Sequence, residues 1–217
     1  MDPIVDHGFV FAILFLTLGP LKLIPVFAGA AGGLAVGART GLALKSTLLA
    51  LVILIVATLL GSAMAANWRV SREALLVTGG LLLLVGSLRT LAHVLSPPVH
   101  AAPPAGGAAP AHPLSIIVSP LAIPGIITPW GLVALLLFVS VAQDDHQLGW
   151  VCLMLLINMI LNVICMIFAA PIMKFVGLPA MSVLGWVFAI LQAALGVSFL
   201  LRGLSAVLGL AWTPTPL

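Results

Sequence analysis

Long runs of apolar residues, separated by short polar or helix-breaking segments, dominate the pattern along the chain. A helix needs about 20 mainly apolar residues to cross the hydrocarbon core of a bilayer. Runs of that length cover residues 8–29, 42–66, 74–95, 114–141, 148–170 and 181–208. The pattern therefore predicts an all-α, polytopic membrane protein with six transmembrane helices.

Composition supports this class. Hydrophobic residues make up 63% of the 217 residues and charged residues only 6%, whereas a soluble domain carries about 25% charged residues. The surface is therefore expected to face the lipid bilayer. No basic cluster is present, so we expect no nucleic-acid partner.

A Pro/Ala/Gly segment divides the chain into two halves. Residues 97–112 read PPVHAAPPAGGAAPAH and are expected to form an extended linker between a first repeat, residues 1–96, and a second, residues 113–217. Each half contains three predicted spans, and an odd number of spans reverses the orientation of the next half. The layout therefore predicts two inverted three-helix repeats, as in many secondary transporters.

Proline and glycine interrupt the first and fourth spans at corresponding places. Gly19-Pro20 and Pro25 lie in the first span, and the fourth contains Pro124, Thr128-Pro129 and Gly131. Broken helices persist in membranes where protein buries them or where they line a wet cavity. Two interpretations remain open: discontinuous helices that line a substrate site, or kinked helices that only pack tightly.

A few polar side chains lie within the predicted spans. Lys22 is either directed into a cavity or extends to the membrane interface along its apolar stem. Asn158 and Asn162, four residues apart, share one helix face and either bond neighbouring helices or line a cavity. The spans contain no Asp or Glu, which excludes a carboxylate proton relay across the membrane.

Signatures of enzymes and metal sites are missing from the sequence. There is no HExxH, GxSxG or Walker A motif, so we expect neither an enzyme nor a cofactor. His93, His100 and His112 flank or lie in the linker, but their spacing fits no tight metal motif. We interpret them as solvated loop residues and expect no metal site.

Orientation follows from the bias of Lys and Arg towards the cytoplasm. The connections between spans one and two, three and four, and five and six border four positive residues: Arg39, Lys45, Arg89 and Lys174. The opposite side has three: Arg69, Arg72 and Arg202. This difference places both termini outside the cytoplasm.

Two segments resemble motifs of the MarC family of integral membrane proteins. The string GPLKLIPVF at residues 19–27 is similar to the family motif NPIGNIPIF. PLAIP at residues 120–124, followed by Thr128-Pro129, resembles the PLAIP…GPG motif. This chain departs from the family pattern at Gly19, Lys22, Leu23, Thr128 and Trp130.

The resemblance implies a six-span bacterial or archaeal inner-membrane protein in the wider LysE-like group of exporters. Its SnatA-like relatives are neutral amino-acid transporters with broken first and fourth helices around a central site. The resemblance does not assign a substrate to this chain, because its departures from the motifs lie near that site.

These observations together predict a secondary transporter or exporter of small solutes such as amino acids. The alternative is a non-transporting membrane scaffold or signalling protein, and the oligomeric state stays open, with a homo-oligomer among the alternatives. The residues expected to bind the solute are Gly19, Pro20, Lys22, Pro25, Pro124, Thr128, Pro129, Gly131, Asn158 and Asn162.

Overall fold

The computed structural model describes residues 7–31, 33–95, 125–142 and 144–210, and helices are the only regular secondary structure in these ranges. The predicted linker at 97–112, Pro124 and the first part of the fourth predicted span, 114–124, lie outside them. The division into two inverted repeats therefore stays a prediction.

The described helices follow the predicted apolar runs. They are α1 (His7–Leu18), a 3-10 turn (Pro20–Lys22), α2 (Leu23–Ala30), α3 (Val36–Asn67), α4 (Arg72–Leu95), α5 (Pro129–Val141), α6 (Asp145–Ile167) and α7 (Ala169–Val207).

Five segments are long and apolar enough to cross a membrane: His7–Ala30, Val36–Asn67, Arg72–Ala92, Asp145–Ile167 and Pro179–Val207. α5 has only 13 residues. At 1.5 Å per residue its length is about 20 Å, which is less than the hydrocarbon thickness of about 30 Å. The described residues thus contain five helices of membrane length, and the sixth crossing stays a prediction.

Polar residues at the helix starts account for two of the predicted connections. Between α3 and α4, Arg69 adopts a left-handed backbone (φ 54°). The Ser71 hydroxyl then accepts the backbone N–H of Ala74 at 3.2 Å. At the start of α6, the Asp144 carboxylate accepts the N–H of Gln147 at 2.7 Å. Such caps satisfy N–H groups that have no acceptor within the helix.

Two connections are more helical than the sequence indicates. α3 begins at Val36, so Gly37 lies in its first turn and not in a connecting loop. α7 begins at Ala169, and Pro171 falls in its first turn, where a missing N–H costs no hydrogen bond. The chain changes direction only at Gly177, which has φ 75° and ψ 162°.

The first span forms the centre of the bundle. The buried residues of α1 are Val10, Ile13, Leu14, Thr17 and Leu18, which share one face at helical spacing. α1 and α2 pack against α5, α6 and α7.

α3 lies at the periphery of the bundle. It buries a narrow stripe of small and polar residues, among them Ala43, Ser46 and Ala50. Its exposed surface carries large apolar residues, including Leu48, Ile55, Leu59 and Leu60. Apolar surface of this extent is stable against lipid tails and not against water.

Candidate functional site

The first span is interrupted near its middle. α1 ends at Leu18, and Gly19 has extended backbone angles (φ −72°, ψ 161°) before the 3-10 turn begins at Pro20. Pro20 has no N–H with which to continue the hydrogen-bond ladder of α1. A Cβ atom at Gly19 would lie 1.5 Å from the carbonyl oxygen of Phe15. The close approach of the Phe15 carbonyl therefore requires glycine at this position.

The interruption leaves the last carbonyl groups of α1 without donors inside the helix. Lys22 Nζ donates to the carbonyl oxygen of Thr17, and Thr128 Oγ1 donates to the same oxygen at 3.0 Å. Asn162 Nδ2 donates to the carbonyl oxygen of Leu18 at 3.0 Å. Unpaired backbone groups are costly inside a membrane, so these donors stabilise the break.

The start of α5 packs directly against this break. Thr128 has an extended backbone (φ −113°, ψ 147°) and caps α5, its hydroxyl accepting the N–H of Gly131 at 3.2 Å. Pro129 occupies the first helical position, where proline is favoured. A Cβ atom at Gly131 would lie 2.4 Å from Leu18 Cδ2. The structure therefore brings the start of α5 into contact with the end of α1, beside the Gly19-Pro20 break.

Asn158 and Asn162 are both fully buried on α6, with 0% of each residue exposed. Asn158 Nδ2 donates to the Met154 carbonyl of its own helix at 2.9 Å, whereas Asn162 bonds α1. The side-chain oxygens of both residues are buried and have no hydrogen-bond partner. Only Asn162 therefore links two helices directly.

A cavity of about 140 Å³ lies beside the break. Its polar side chains are Lys22, Thr90 and Gln192. Most of its wall is apolar and includes Phe15, Leu16, Trp130, Leu184 and Phe188. An engineered cavity of about 150 Å³ holds a benzene molecule, so this space suits a small organic solute.

The structure divides the predicted site residues into two groups. Gly19 and Lys22 line the cavity, whereas Thr128 and Asn162 contact the end of α1 without lining it. Lys22 and Thr128 are joined through the shared Thr17 carbonyl and not through an open cavity.

The remaining predicted residues that the structure describes do not line the cavity. Pro20 is buried at the start of the 3-10 turn. Pro25 is half-buried in the first turn of α2. The Asn158 side-chain amide donates a hydrogen bond within its own helix. Pro124 lies outside the described residues.

Several residues at the site did not emerge as site candidates from the sequence. Thr17 precedes Pro20 by three positions, and a proline frees carbonyl groups three and four positions before it, so this signal was available. Thr90 donates its hydroxyl to the Gly86 carbonyl at 3.0 Å, and nothing in its sequence context marks it. For Gln192, in the sixth predicted span, the sequence leaves two interpretations open, a bond between helices or cavity lining, and the structure shows both. Gln192 Nε2 donates to the Leu83 carbonyl at 3.4 Å.

The electrostatic character of the cavity is simple. Among the described lining residues, Lys22 is the only side chain with a formal charge at neutral pH, and none is Asp or Glu. Across the described residues, no group of three or more His, Cys, Asp or Glu side chains is placed to hold a metal ion.

A bundle of long apolar helices with Leu, Val and Ile on its outer surface defines an integral membrane protein that crosses the bilayer several times. Residues 6–208 match the family model of the MarC family integral membrane proteins. The chain therefore belongs to the MarC family. Searches of curated proteins and of solved structures find no match to it.

Proposed function

We propose that this MarC-family protein is a secondary transporter or exporter of small solutes such as amino acids. The observation that carries the proposal is the cavity beside the interrupted first span, with Lys22 and Gln192 in its wall. Solute sites in secondary transporters typically lie near the middle of the bilayer, where discontinuous helices expose backbone groups.

The free-energy cost of placing the charged Lys22 side chain inside the membrane supports a role in solute binding. A charged side chain inside a membrane costs about 2.5–3.5 kcal/mol on insertion scales. Lys22 is half-buried, and the Thr17 carbonyl that it contacts is neutral. A purely structural helix end needs no charged residue, because Thr128 already donates to the same carbonyl. A charge retained under these conditions favours contact with a solute.

The site also lies between several helices. The cavity is bounded by α1, the 3-10 turn, α4, α5 and α7. A transporter must open such a site alternately to the two sides of the membrane, usually by rocking one group of helices against another. We place the protein in the inner membrane, with both termini outside the cytoplasm.

A variant that fills the cavity tests the proposal. Gly185 lines the cavity, and a Cβ atom there would meet no atom within 4 Å. Gly185→Leu should therefore fold normally but occupy the space that a solute needs. Purified protein in liposomes should transport labelled amino acids, and Gly185→Leu should reduce the initial rate by about tenfold or more, the loss expected for about 1.4 kcal/mol of binding.

The matched control is Gly149→Leu on α6, where a Cβ atom also meets nothing within 4 Å and the cavity is distant. Its rate should equal that of the unmodified protein. Folded protein that transports no amino acid or related small solute would contradict the proposal and favour a scaffold. Equal transport rates in Gly185→Leu and Gly149→Leu would show that the solute does not pass through the cavity.

A further inference from the structure

The cavity contains a positive side chain and no negative one. Lys22 is the charged residue in its wall, and Thr90 and Gln192 are neutral. The five acidic residues of the whole sequence lie at 2, 6, 73, 144 and 145, away from the predicted span interiors. No carboxylate is therefore available to pair with a positively charged group on a solute at this depth.

The ammonium group of Lys22 has unused hydrogen-bonding capacity. An ammonium group has three donors, and the only acceptor for Lys22 among the described residues is the Thr17 carbonyl oxygen. That oxygen also accepts a bond from Thr128, so it is shared. A bound anion would supply a full negative charge to the remaining donors and would favour the charged form of Lys22.

The rest of the wall selects for an apolar body. Phe15, Trp130 and Phe188 supply aromatic surface, and Leu16 and Leu184 supply aliphatic surface. A strongly hydrated inorganic anion such as phosphate would lose water against these walls and meet only one cation. The volume of about 140 Å³ suits a solute of roughly the size of benzene.

We propose that this cavity binds small organic monocarboxylates in preference to zwitterionic amino acids, with Lys22 contacting the carboxylate and the aromatic and aliphatic wall contacting the apolar body. The inference rests on the proposed transport function and narrows its substrate class. An amino acid would place its ammonium group near Lys22 with no acidic partner. Its remaining favourable contacts would be the neutral oxygens of Thr90 and Gln192 and the aromatic rings, none of which carries a full negative charge.

The test compares three solutes that share a branched apolar body: 3-methylbutanoate, valine and 3-methylbutylamine. They carry a carboxylate, a carboxylate plus an ammonium, and an ammonium alone. Binding to the purified full chain in detergent is measured by calorimetry, because short carboxylic acids leak through liposomes as neutral acids. We expect 3-methylbutanoate to bind about tenfold or more tightly than valine, and the amine not to bind.

Lys22 variants identify the contact. Lys22→Met should weaken 3-methylbutanoate binding by about tenfold or more, and Lys22→Arg should restore most of it, since both cationic side chains pair with carboxylates. Lys174 is exposed on α7 and does not line the cavity, so Lys174→Met should bind normally. If Lys22→Met does not fold, Gly185→Leu must abolish binding.

Three results would overturn the inference. Valine binding at least as tightly as 3-methylbutanoate would show a zwitterion site and leave the transport proposal intact. Unchanged 3-methylbutanoate binding in Lys22→Met or Gly185→Leu would place the solute elsewhere. If neither 3-methylbutanoate nor valine binds but amino acids are transported in liposomes, the anion site alone is refuted. If there is no transport either, both proposals are refuted.

Discussion

Lys22 lies in a cavity wall, one of the two placements that the sequence leaves open, and it also bonds the end of α1. Its position, five residues beyond Thr17, lets the side chain fold back to the end of α1, and the same side chain forms part of the cavity wall. Cationic side chains commonly bond the last carbonyls of a helix, so the contact stabilises the break. Because the contact is made to a neutral oxygen, it leaves the charge available for a solute.

The two fully buried asparagines of α6 differ in their hydrogen-bond partners. Asn162 bonds the Leu18 carbonyl across to α1. Asn158 bonds Met154 within its own helix, where that carbonyl is already part of the backbone ladder. The sequence predicts a shared polar face correctly, but it does not indicate which member reaches the neighbouring helix.

Replacing each asparagine by leucine should therefore give different stabilities. Asn162→Leu leaves the Leu18 carbonyl without its bond from α6 and should lower the free energy of unfolding by about 1–3 kcal/mol. Asn158→Leu removes a buried oxygen that has no partner and should change stability by less than about 1 kcal/mol. Unfolding of both variants in mixed detergent micelles measures the difference. Equal losses would contradict the link from Asn162 to α1.

At the scale of helices, α4 and α7 pack closely against each other, as the sequence predicts. The sequence predicts close helix packing from small residues in the third and sixth predicted spans: Gly79, Gly80, Gly86, Ala189, Ala193 and Gly196. A Cβ atom at Gly80 would lie 2.6 Å from both the Gly196 carbonyl oxygen and the Leu200 nitrogen. A Cβ atom at Gly196 would lie 2.8 Å from the Gly80 oxygen. The prediction is confirmed here, because backbone and not a flexible side chain fills the space.

Gly80→Ala should consequently force α4 and α7 apart. Overpacking of this kind costs about 1–3 kcal/mol, and the thermal midpoint in detergent should fall by several degrees. Gly41 on α3 is the control, since a Cβ atom there meets nothing within 4 Å. The thermal midpoint of Gly41→Ala should equal or slightly exceed that of the unmodified protein, because alanine is the better helix former. A stable Gly80→Ala variant would show that the contact between the two helices is looser.

The sequence predicts which segments are helices better than it predicts the residues at which the helices begin and end. Apolar runs mark the membrane helices because lipid imposes a minimum length on them. The first turns of α3 and α7 were missed, because glycine or proline is tolerated there and capping decides the boundary. The break at Gly19 followed from local chemistry, whereas the cavity needed the packing of α4, α5 and α7 around it. No local pattern encodes that packing.

At the scale of the whole molecule, side-chain contacts show which helix ends share a side of the bundle. The rings of His7 and Trp150 lie 4.3 Å apart between centroids. The Arg202 guanidinium carbon lies 5.7 Å from the ring centroid of Phe9. The start of α1, the start of α6 and the end of α7 are therefore on one side.

α4 and α5 complete this arrangement. A Cβ atom at Gly203, near the end of α7, would lie 3.0 Å from the Glu73 carbonyl, so α4 also starts on that side. Its 24 residues extend about 36 Å towards the opposite side. α5 begins beside Thr17, near the middle of the first span, and ends at Val141, close to the start of α6. α4 therefore ends on the side opposite to that on which α5 ends, and we expect one net crossing between these two helix ends.

If that sixth crossing is made, the chain passes the membrane an even number of times, so we expect both termini on one side. The distribution of Lys and Arg predicts that this side lies outside the cytoplasm. Single cysteines at Asp2→Cys and Thr215→Cys, in a protein with Cys152→Ser and Cys165→Ser, should react with a membrane-impermeant maleimide in intact cells. Lys174→Cys, exposed near the opposite ends of the helices, should react only after permeabilisation. Labelling of one terminus alone would contradict the even number of crossings. Labelling of Lys174→Cys alone in intact cells would reverse the orientation and leave the fold unchanged.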